Sequence, residues 1–242
     1  MCTVSWCIQE DGYTLFFNRD ESRDRVLAIP PSIGTANGTH YICPKDPQGG
    51  GTWLLVNEHG LTIGLLNYYE AATSYQPTNP KSRGALPLRF SECTALSDAK
   101  SAALKEDFEP YPPLHLLVVE ATGCALLMTW DGKQKYISYP TTEDLPISTS
   151  SSKTNEVILT RKAQFKIALE SQANRTTALE QFHTSELPLP TTHAVLMTRS
   201  DAKTVSICRA EIRKHRVSLG YQARPGDDAT LEIPVIQSIA RD

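Results

Sequence analysis

Met1-Cys2-Thr3-Val4-Ser5-Trp6-Cys7-Ile8, then Gln9-Glu10-Asp11-Gly12, then Tyr13-Thr14-Leu15-Phe16-Phe17, closed by Asn18-Arg19-Asp20-Glu21, opens the chain. Two strand-like apolar runs, residues 2–8 and 13–18, flank Asp11-Gly12. Asp-Gly accepts the positive backbone angles of a tight reverse turn, so the stretch predicts a β-hairpin. The hairpin places two kinds of chemistry at one end. Cys2 begins the first strand, and a run of Asn, Arg, Asp and Glu ends the second. Removal of Met1, which is general before a small residue, would leave a thiol and an α-amine on Cys2. Such a residue can serve as nucleophile and base together. The alternative is an ordinary small, half-buried Cys beside an exposed turn of near-neutral ion pairs.

Three further hairpins are expected. Residues 52–57 and 61–67 flank Glu58-His59-Gly60. Residues 114–120 and 124–130 flank Ala121-Thr122-Gly123. Residues 193–199 and 204–209 flank Asp201-Ala202-Lys203. Between the first two hairpins the Pro-containing segment around Ile29-Pro30-Pro31 reads as irregular, with a short strand at 41–43. Residues 68–84 read as a long loop, a usual place for a functional lid. Residues 83–108 are more helical, with Ser97-Asp98 as a cap. Residues 148–154 form a Ser/Thr-rich loop. Apolar spacing through Phe165, Ala168, Leu169 and Ala173 predicts a helix over 161–173, followed by another over 177–183. A last strand is expected over 230–235. Hairpins with segregated helices imply antiparallel sheets and an α+β class rather than alternating β-α-β order. With no internal repeat and no interdomain linker, residues 1–242 read as a single domain.

Further landmarks are Gly50-Gly51-Thr52-Trp53 before a strand, Gly60 before a strand ending in Asn67, Ser82-Arg83-Gly84, and Thr198-Arg199-Ser200. With Met1-Cys2 and Asn18-Arg19-Asp20-Glu21, and in this order, they cover most of the chain. The sequence resembles the NRDE family, also called the Transport and Golgi organisation 2 family, and through it the N-terminal-nucleophile (Ntn) hydrolases of the cysteine type. The resemblance implies a four-layer αββα sandwich of two antiparallel sheets. It implies Cys2 as the nucleophile towards a linear amide or related acyl bond, Arg19 lowering the thiol pKa, and Asp20 orienting the α-amine. Because a register slip of one residue exchanges faces, Asn18 could replace one of the two. Asn67 would supply an oxyanion-hole amide; its rival role is a turn-forming Asn. The related amidases carry a second oxyanion Asn, and the matching stretch here, Ile147-Ser148-Thr149-Ser150, has Thr149 instead. A Thr154-Asn155 pair falls past the strand end. Arg161 would match a late substrate-side Arg. The family is also linked to haem handling and to lipid or acyl-CoA metabolism. That keeps open a non-catalytic haem or acyl-lipid trafficking role, with Cys2 or a His on a noncovalently held iron, and a third reading in which the fold has lost its chemistry.

Composition narrows the field. The 242 residues carry a net charge of −3 and are 40% hydrophobic, enough for a sizeable core. The basic run Glu211-Ile212-Arg213-Lys214-His215-Arg216 is short and reads as a solvated turn or strand end, so a nucleic acid partner is not expected. No apolar run approaches the roughly 18 residues of a membrane span. The N-terminus resembles neither a signal nor a transit peptide, and a cytoplasmic protein is expected. The six Cys, scattered at 2, 7, 43, 93, 124 and 208, fit free thiols in a reducing compartment. Asn37-Gly38-Thr39 and Asn174-Arg175-Thr176 match a glycosylation pattern that means little without secretion. Gly49-Gly50-Gly51-Thr52 lacks the Lys and helix of a phosphate-binding loop and reads as a bend into a strand. The six His form no ligand pair, so no metal site and no resident cofactor are expected; His115 and His193 read as satisfied core or edge residues.

Overall fold

The computed structural model describes residues 2–72 and 74–241; Met1, whose removal the nucleophile reading requires, lies outside them. The first hairpin forms as expected: β1 (Cys2–Gln9) and β2 (Gly12–Ser22) pair antiparallel, with Cys2 opposite Arg19 and Gln9 opposite Gly12. Every residue of β2 from Gly12 to Asp20 is buried. A strand covered on both faces reads as a continuous apolar run, which is what Tyr13–Phe17 supplies.

Adjacent phenylalanines reveal the two faces. Phe16 stacks on His183, ring centroids 5.4 Å apart, whereas Phe17 packs against Gly64 of the opposing sheet. With a side-chain period of two, Tyr13, Leu15, Phe17 and Arg19 face inwards. Thr14, Phe16, Asn18 and Asp20 face outwards.

Around this hairpin grows a six-stranded antiparallel sheet ordered β10-β1-β2-β11-β12-β13, with β10 at Ile147–Thr149, β11 at Ala202–Arg213, β12 at Arg216–Ala223 and β13 at Val235–Ala240. The second sheet is a seven-stranded antiparallel meander in chain order: β3 (Ile29–Ala36), β4 (Thr39–Lys45), β5 (Leu54–Asn57), β6 (Thr62–Asn67), β7 (Leu114–Val119), β8 (Ala125–Trp130) and β9 (Lys135–Ser138). The sheets stack through Trp6, Leu15, Phe17, Leu54, Val56 and Leu117. Tyr13 reaches across to donate to Thr62 Oγ1 at 2.6 Å.

Helices α4 (Thr154–Ser171) and α5 (Arg175–His183) cover the outer face of the first sheet, with Phe165 edge-on to Phe182 at 5.0 Å. On the second sheet, α2 (Leu86–Arg89) and α3 (Leu96–Lys105) bury Leu86, Ala99 and Ala103 against Leu55, Ile63, Leu116 and Met128. The result is the αββα sandwich that the resemblance implied.

Several sequence expectations are corrected. The Pro-rich segment at 29–36 is not irregular. It is β3, joined to β4 by Asn37-Gly38 with φ of 44° and 92°, the pair of positive angles that a two-residue hairpin turn demands. Residues 193–199 form no hairpin with 204–209; one isolated bridge joins Thr198 to Lys203. The hairpin in this part of the chain is β11–β12, turning at Lys214-His215. Residues 147–149 are a strand at the sheet edge, the last strand starts at 235 rather than 230, and α4 begins at 154, which puts Thr154-Asn155 in its first turn. The N-cap of α3 is Ala95 rather than Ser97-Asp98, and Asp98 in the first turn accepts from the N–H and hydroxyl of Thr94. Among the described residues between Tyr68 and Gly84 the only α-turn is α1 (Tyr69–Ala72).

Candidate functional site

The hairpin register sets Cys2 and Arg19 side by side on the inner face, at the open end of the sandwich. There a cavity of about 300 Å³ is lined by Cys2, Arg19, Asp20 and Asn67, along with residues that the sequence did not nominate. Two of the landmark motifs meet in its wall. Thr52 N–H donates to Gly84 O at 2.9 Å. A Cβ on Gly51 would stand 2.2 Å from the Gly84 backbone, so only glycine permits this approach. The Gly49-Gly50-Gly51-Thr52 run is therefore a bend that docks Ser82-Arg83-Gly84 against the site.

Cys2 is 7% exposed. Burial pushes its thiol up to about 11; the positive charge of the chain's N-terminus opposes the rise, the negative charges of Asp20 and Glu21 add to it, and the Asp20 backbone N–H, aimed at the sulfur, opposes it. Arg19, expected to hold this thiol low, is not among the groups that move it. Arg19 donates to Glu21 at 3.3 Å and to Asp46 at 3.1 Å, and its guanidinium carbon lies 4.3 Å above the Trp53 ring. Its charge is committed to those partners, while its Nη1 is buried with no partner among the described residues.

Asp46 organises this side of the site. It accepts from Arg19, Arg25 and the N–H groups of Gln48 and Gly49. Partial burial works against its charge, but the Arg25 and Gly49 hydrogen bonds and the two cations outweigh it, and the carboxyl lies below its usual range.

Asp20 lines the cavity but points its carboxylate to the outer face of the sheet. Thr204 Oγ1 donates to it at 2.6 Å and Arg161 Nη2 at 3.4 Å. Arg161 is fully buried behind β1 and β2, donating also to Thr3 Oγ1 and to Ala194 O. It supports Asp20 from behind and is not among the residues lining the cavity, where a substrate-side Arg would stand. Asn18 likewise faces the helices. Its amide donates to His183 O and Val195 O, and its Oδ1 accepts from His183 Nδ1 at 2.7 Å. The register thus leaves Arg19 on the cavity side and Asn18 on the other.

Asn67 ends β6 at the cavity and donates to the Tyr69 hydroxyl at 2.9 Å. Thr149 stands directly across β1 from Cys2; its hydroxyl is buried and has no hydrogen-bond partner among the described residues. Cross-strand neighbours hold their Cβ atoms about 5 Å apart on one face, which puts Thr149 next to Cys2, although it is not among the residues lining the cavity. Asp46, Tyr69 and Arg83 were missed by sequence reasoning, and Trp53 was read as core. An Asp ahead of a Pro-Gln-Gly run is an Asx-turn signal, the one clue available for Asp46. Among the described residues no group of three or more His, Cys, Asp or Glu gathers as a metal site, and no helix is long and apolar enough to cross a membrane.

The sequence profile of Transport and Golgi organisation 2 matches residues 1–218. The chain belongs to that family. A search of curated proteins by sequence found no match. Solved structures with the same fold are Ntn hydrolases. A variant of the conjugated bile acid hydrolase from Clostridium perfringens superposes with a TM-score of 0.58 at 12% identity, covering 99% of this chain and 92% of that one. Penicillin V acylase from Agrobacterium tumefaciens gives 0.55 at 14% identity, covering 92% and 83%. The Caenorhabditis elegans orthologue of N-acylethanolamine-hydrolyzing acid amidase gives 0.56 at 10%, covering 86% and 92%. At such identities the likeness establishes the Ntn fold, and the chemistry has to be argued from the site.

Proposed function

We propose that this family member is an N-terminal-cysteine hydrolase that cleaves or transfers an acyl group at a linear amide or related bond. The observation that carries the reading is the convergence of Cys2, Arg19, Asp20 and Asn67 on one cavity. After removal of Met1, the new α-amine takes the Cys2 thiol proton as sulfur attacks the carbonyl carbon. The tetrahedral oxyanion is held by the second N–H of Asn67 Nδ2, and Thr149 Oγ1 offers a further donor where the related amidases use an amide. Collapse expels the leaving amine, which takes the proton from the α-amine, and water then cleaves the thioester. Arg19, fixed by Asp46, Glu21 and Trp53, keeps the cavity wall in place and presents its unpartnered Nη1. Asp20, held by Arg161 and Thr204, orients the end of β2 and directs its own N–H at sulfur.

The haem-carrier alternative has weaker support. Cys2 is the one soft donor lining this cavity, no His lines it, and about 300 Å³ is at the small end for ligand sites.

Intact mass and a panel of N-acyl amides test the reading together. A mass lacking Met1, an acyl adduct on Cys2 and turnover abolished in Cys2→Ala are expected. Retained Met1 with identical behaviour of wild type and Cys2→Ala towards every substrate would refute it.

A further inference from the structure

The charges around the cavity do not balance locally, and the imbalance has an address. Its lining carboxylates are all engaged by cations: Asp20 by Arg161, Glu21 by Arg19, and Asp46 by Arg19 and Arg25. Two lining cations, Arg83 and Lys81, form no ion pair among the described residues. Lys81 is exposed and its charge is met by water. Arg83 is different. It is half-buried, and one of its terminal nitrogens donates to Pro113 O at 3.0 Å, which fixes the guanidinium against the wall. It lies within electrostatic reach of Cys2, Tyr69 and Glu21. The Gly51–Gly84 approach locks the loop that carries it. A guanidinium always keeps its charge, and a partly dehydrated charge without a counter-ion is costly. Such a cation beside a nucleophile is a built receptor for a planar anion, because its fork matches a carboxylate with two parallel hydrogen bonds.

We propose that Arg83, assisted by Lys81, forms a carboxylate-binding subsite beside Cys2, so that the substrate carries a free carboxylate close to its scissile carbonyl. The proposal deepens the hydrolase reading and rests on it for the word substrate, but the subsite itself can be probed without turnover.

Two measurements do so. The first compares alkylation of Cys2 by iodoacetate and by iodoacetamide, each rate normalised to exposed Cys124 by peptide mapping. Wild type is expected to favour the anionic reagent by about tenfold relative to Cys124, one charged hydrogen bond's worth of discrimination. Arg83→Met is expected to abolish that preference, Arg83→Lys to keep part of it, and Lys81→Ala to reduce it two- to threefold. The second is calorimetric titration with hexanoylglycine and with hexanoylglycinamide, expected to bind with at least a tenfold difference that vanishes in Arg83→Met. Equal alkylation ratios at Cys2 and Cys124 in wild type overturn the proposal, as does a preference that survives Arg83→Met. If Arg83→Met fails to fold, the wild-type ratio and the Lys81→Ala response decide. If Cys2 reacts with neither reagent while hexanoylglycine still binds better through Arg83, the nucleophile reading falls and the subsite stands.

Discussion

Arg161→Met offers a severe test of how the site is held. The guanidinium is fully buried and ion-paired to Asp20, whose side chain is also fully buried, and it donates to Ala194 O at 2.8 Å and to the Thr3 hydroxyl. Methionine fills a similar volume but leaves Asp20 buried without its cation. Breaking one side of a buried pair costs about 3–5 kcal/mol. For a chain of this length each kcal/mol corresponds to about 2–4 °C, so the melting temperature should fall by about 6–20 °C. Asp20→Asn keeps an acceptor for the Thr204 hydroxyl while removing the charge. Combined with Arg161→Met, it should recover about 2 kcal/mol relative to the sum of the single changes. Recovery should stay incomplete, because Ala194 O and Thr3 Oγ1 lose a donor at about 1 kcal/mol each. Urea titrations followed by fluorescence of the buried Trp6, Trp53 and Trp130 measure all four proteins. A loss under about 1 kcal/mol for Arg161→Met, or additivity of the two changes within about 0.5 kcal/mol, would refute the claim that this pair holds the end of β2.

Burial and the charge of Arg161 push His183 down to about 3, and burial pushes His115 down to about 4. Both folded values lie below the unfolded 6.5, so the native state binds fewer protons between them. The stability that these neutral rings contribute is complete above pH 6.5 and is lost as pH falls. Between about pH 6 and 4 the slope should approach two protons, about 2.7 kcal/mol per pH unit, and His183→Gln should halve it in urea titrations at stepped pH. Gly51→Ala should cost about 3 kcal/mol by driving the glycine bend off Gly84, with near-ultraviolet dichroism reporting the change around Trp53. Under the proposed mechanism, Asn67→Ala should lower kcat by about 100- to 1,000-fold with little change in fold, and Thr149→Val by less, measured as single-turnover acylation rates. Protein that retains Met1 should alkylate at Cys2 with a rate rising about tenfold per pH unit from pH 7 to 10, since its thiol ionises near 11; a plateau near neutrality would contradict that value.

The fold class was legible because hairpins are local. Asp11-Gly12, Gly60 and Gly123 each mark a turn between apolar runs, and the pairing follows from chain proximity. Misreadings arose where two signals competed. Pro30-Pro31 hid β3, although Asn37-Gly38 stood a few residues on as a hairpin turn. Along β11, Arg209, Glu211 and Arg213 alternate with Cys208, Ala210 and Ile212, the period of a one-sided strand, yet the charges broke the apolar run that was being sought. The opposite error occurred at 193–199. Ala194–Met197 are apolar and buried, but their backbone bonds scatter to Ser185 O, the Thr204 hydroxyl and the Arg224 guanidinium, and the Thr204 N–H to Met197 O bond at 2.9 Å continues into no ladder with β11. Burial alone does not make a strand.

Site residues separate along the same line. Cys2 and Arg19 were readable because one hairpin register brings them together. Asp46 and Arg83 reach the cavity through loops whose course depends on a glycine-to-glycine contact between positions 51 and 84, which no local periodicity encodes. Arg19, shared between Asp46 and Glu21, is felt at Cys208 and Tyr221, where it opposes the rise that burial causes, and is not among the groups that move Cys2. With the thiol near 11, about one molecule in ten thousand is a thiolate at pH 7. A free α-amine on Cys2, ordinarily titrating near 8, would then be the strongest base within reach of the sulfur. In the proposed mechanism, activation therefore passes from the arginine to the cleavage that exposes the amine. The dense charge network around Arg19 serves the geometry of the cavity, which leaves Arg83 as the cation available to a ligand.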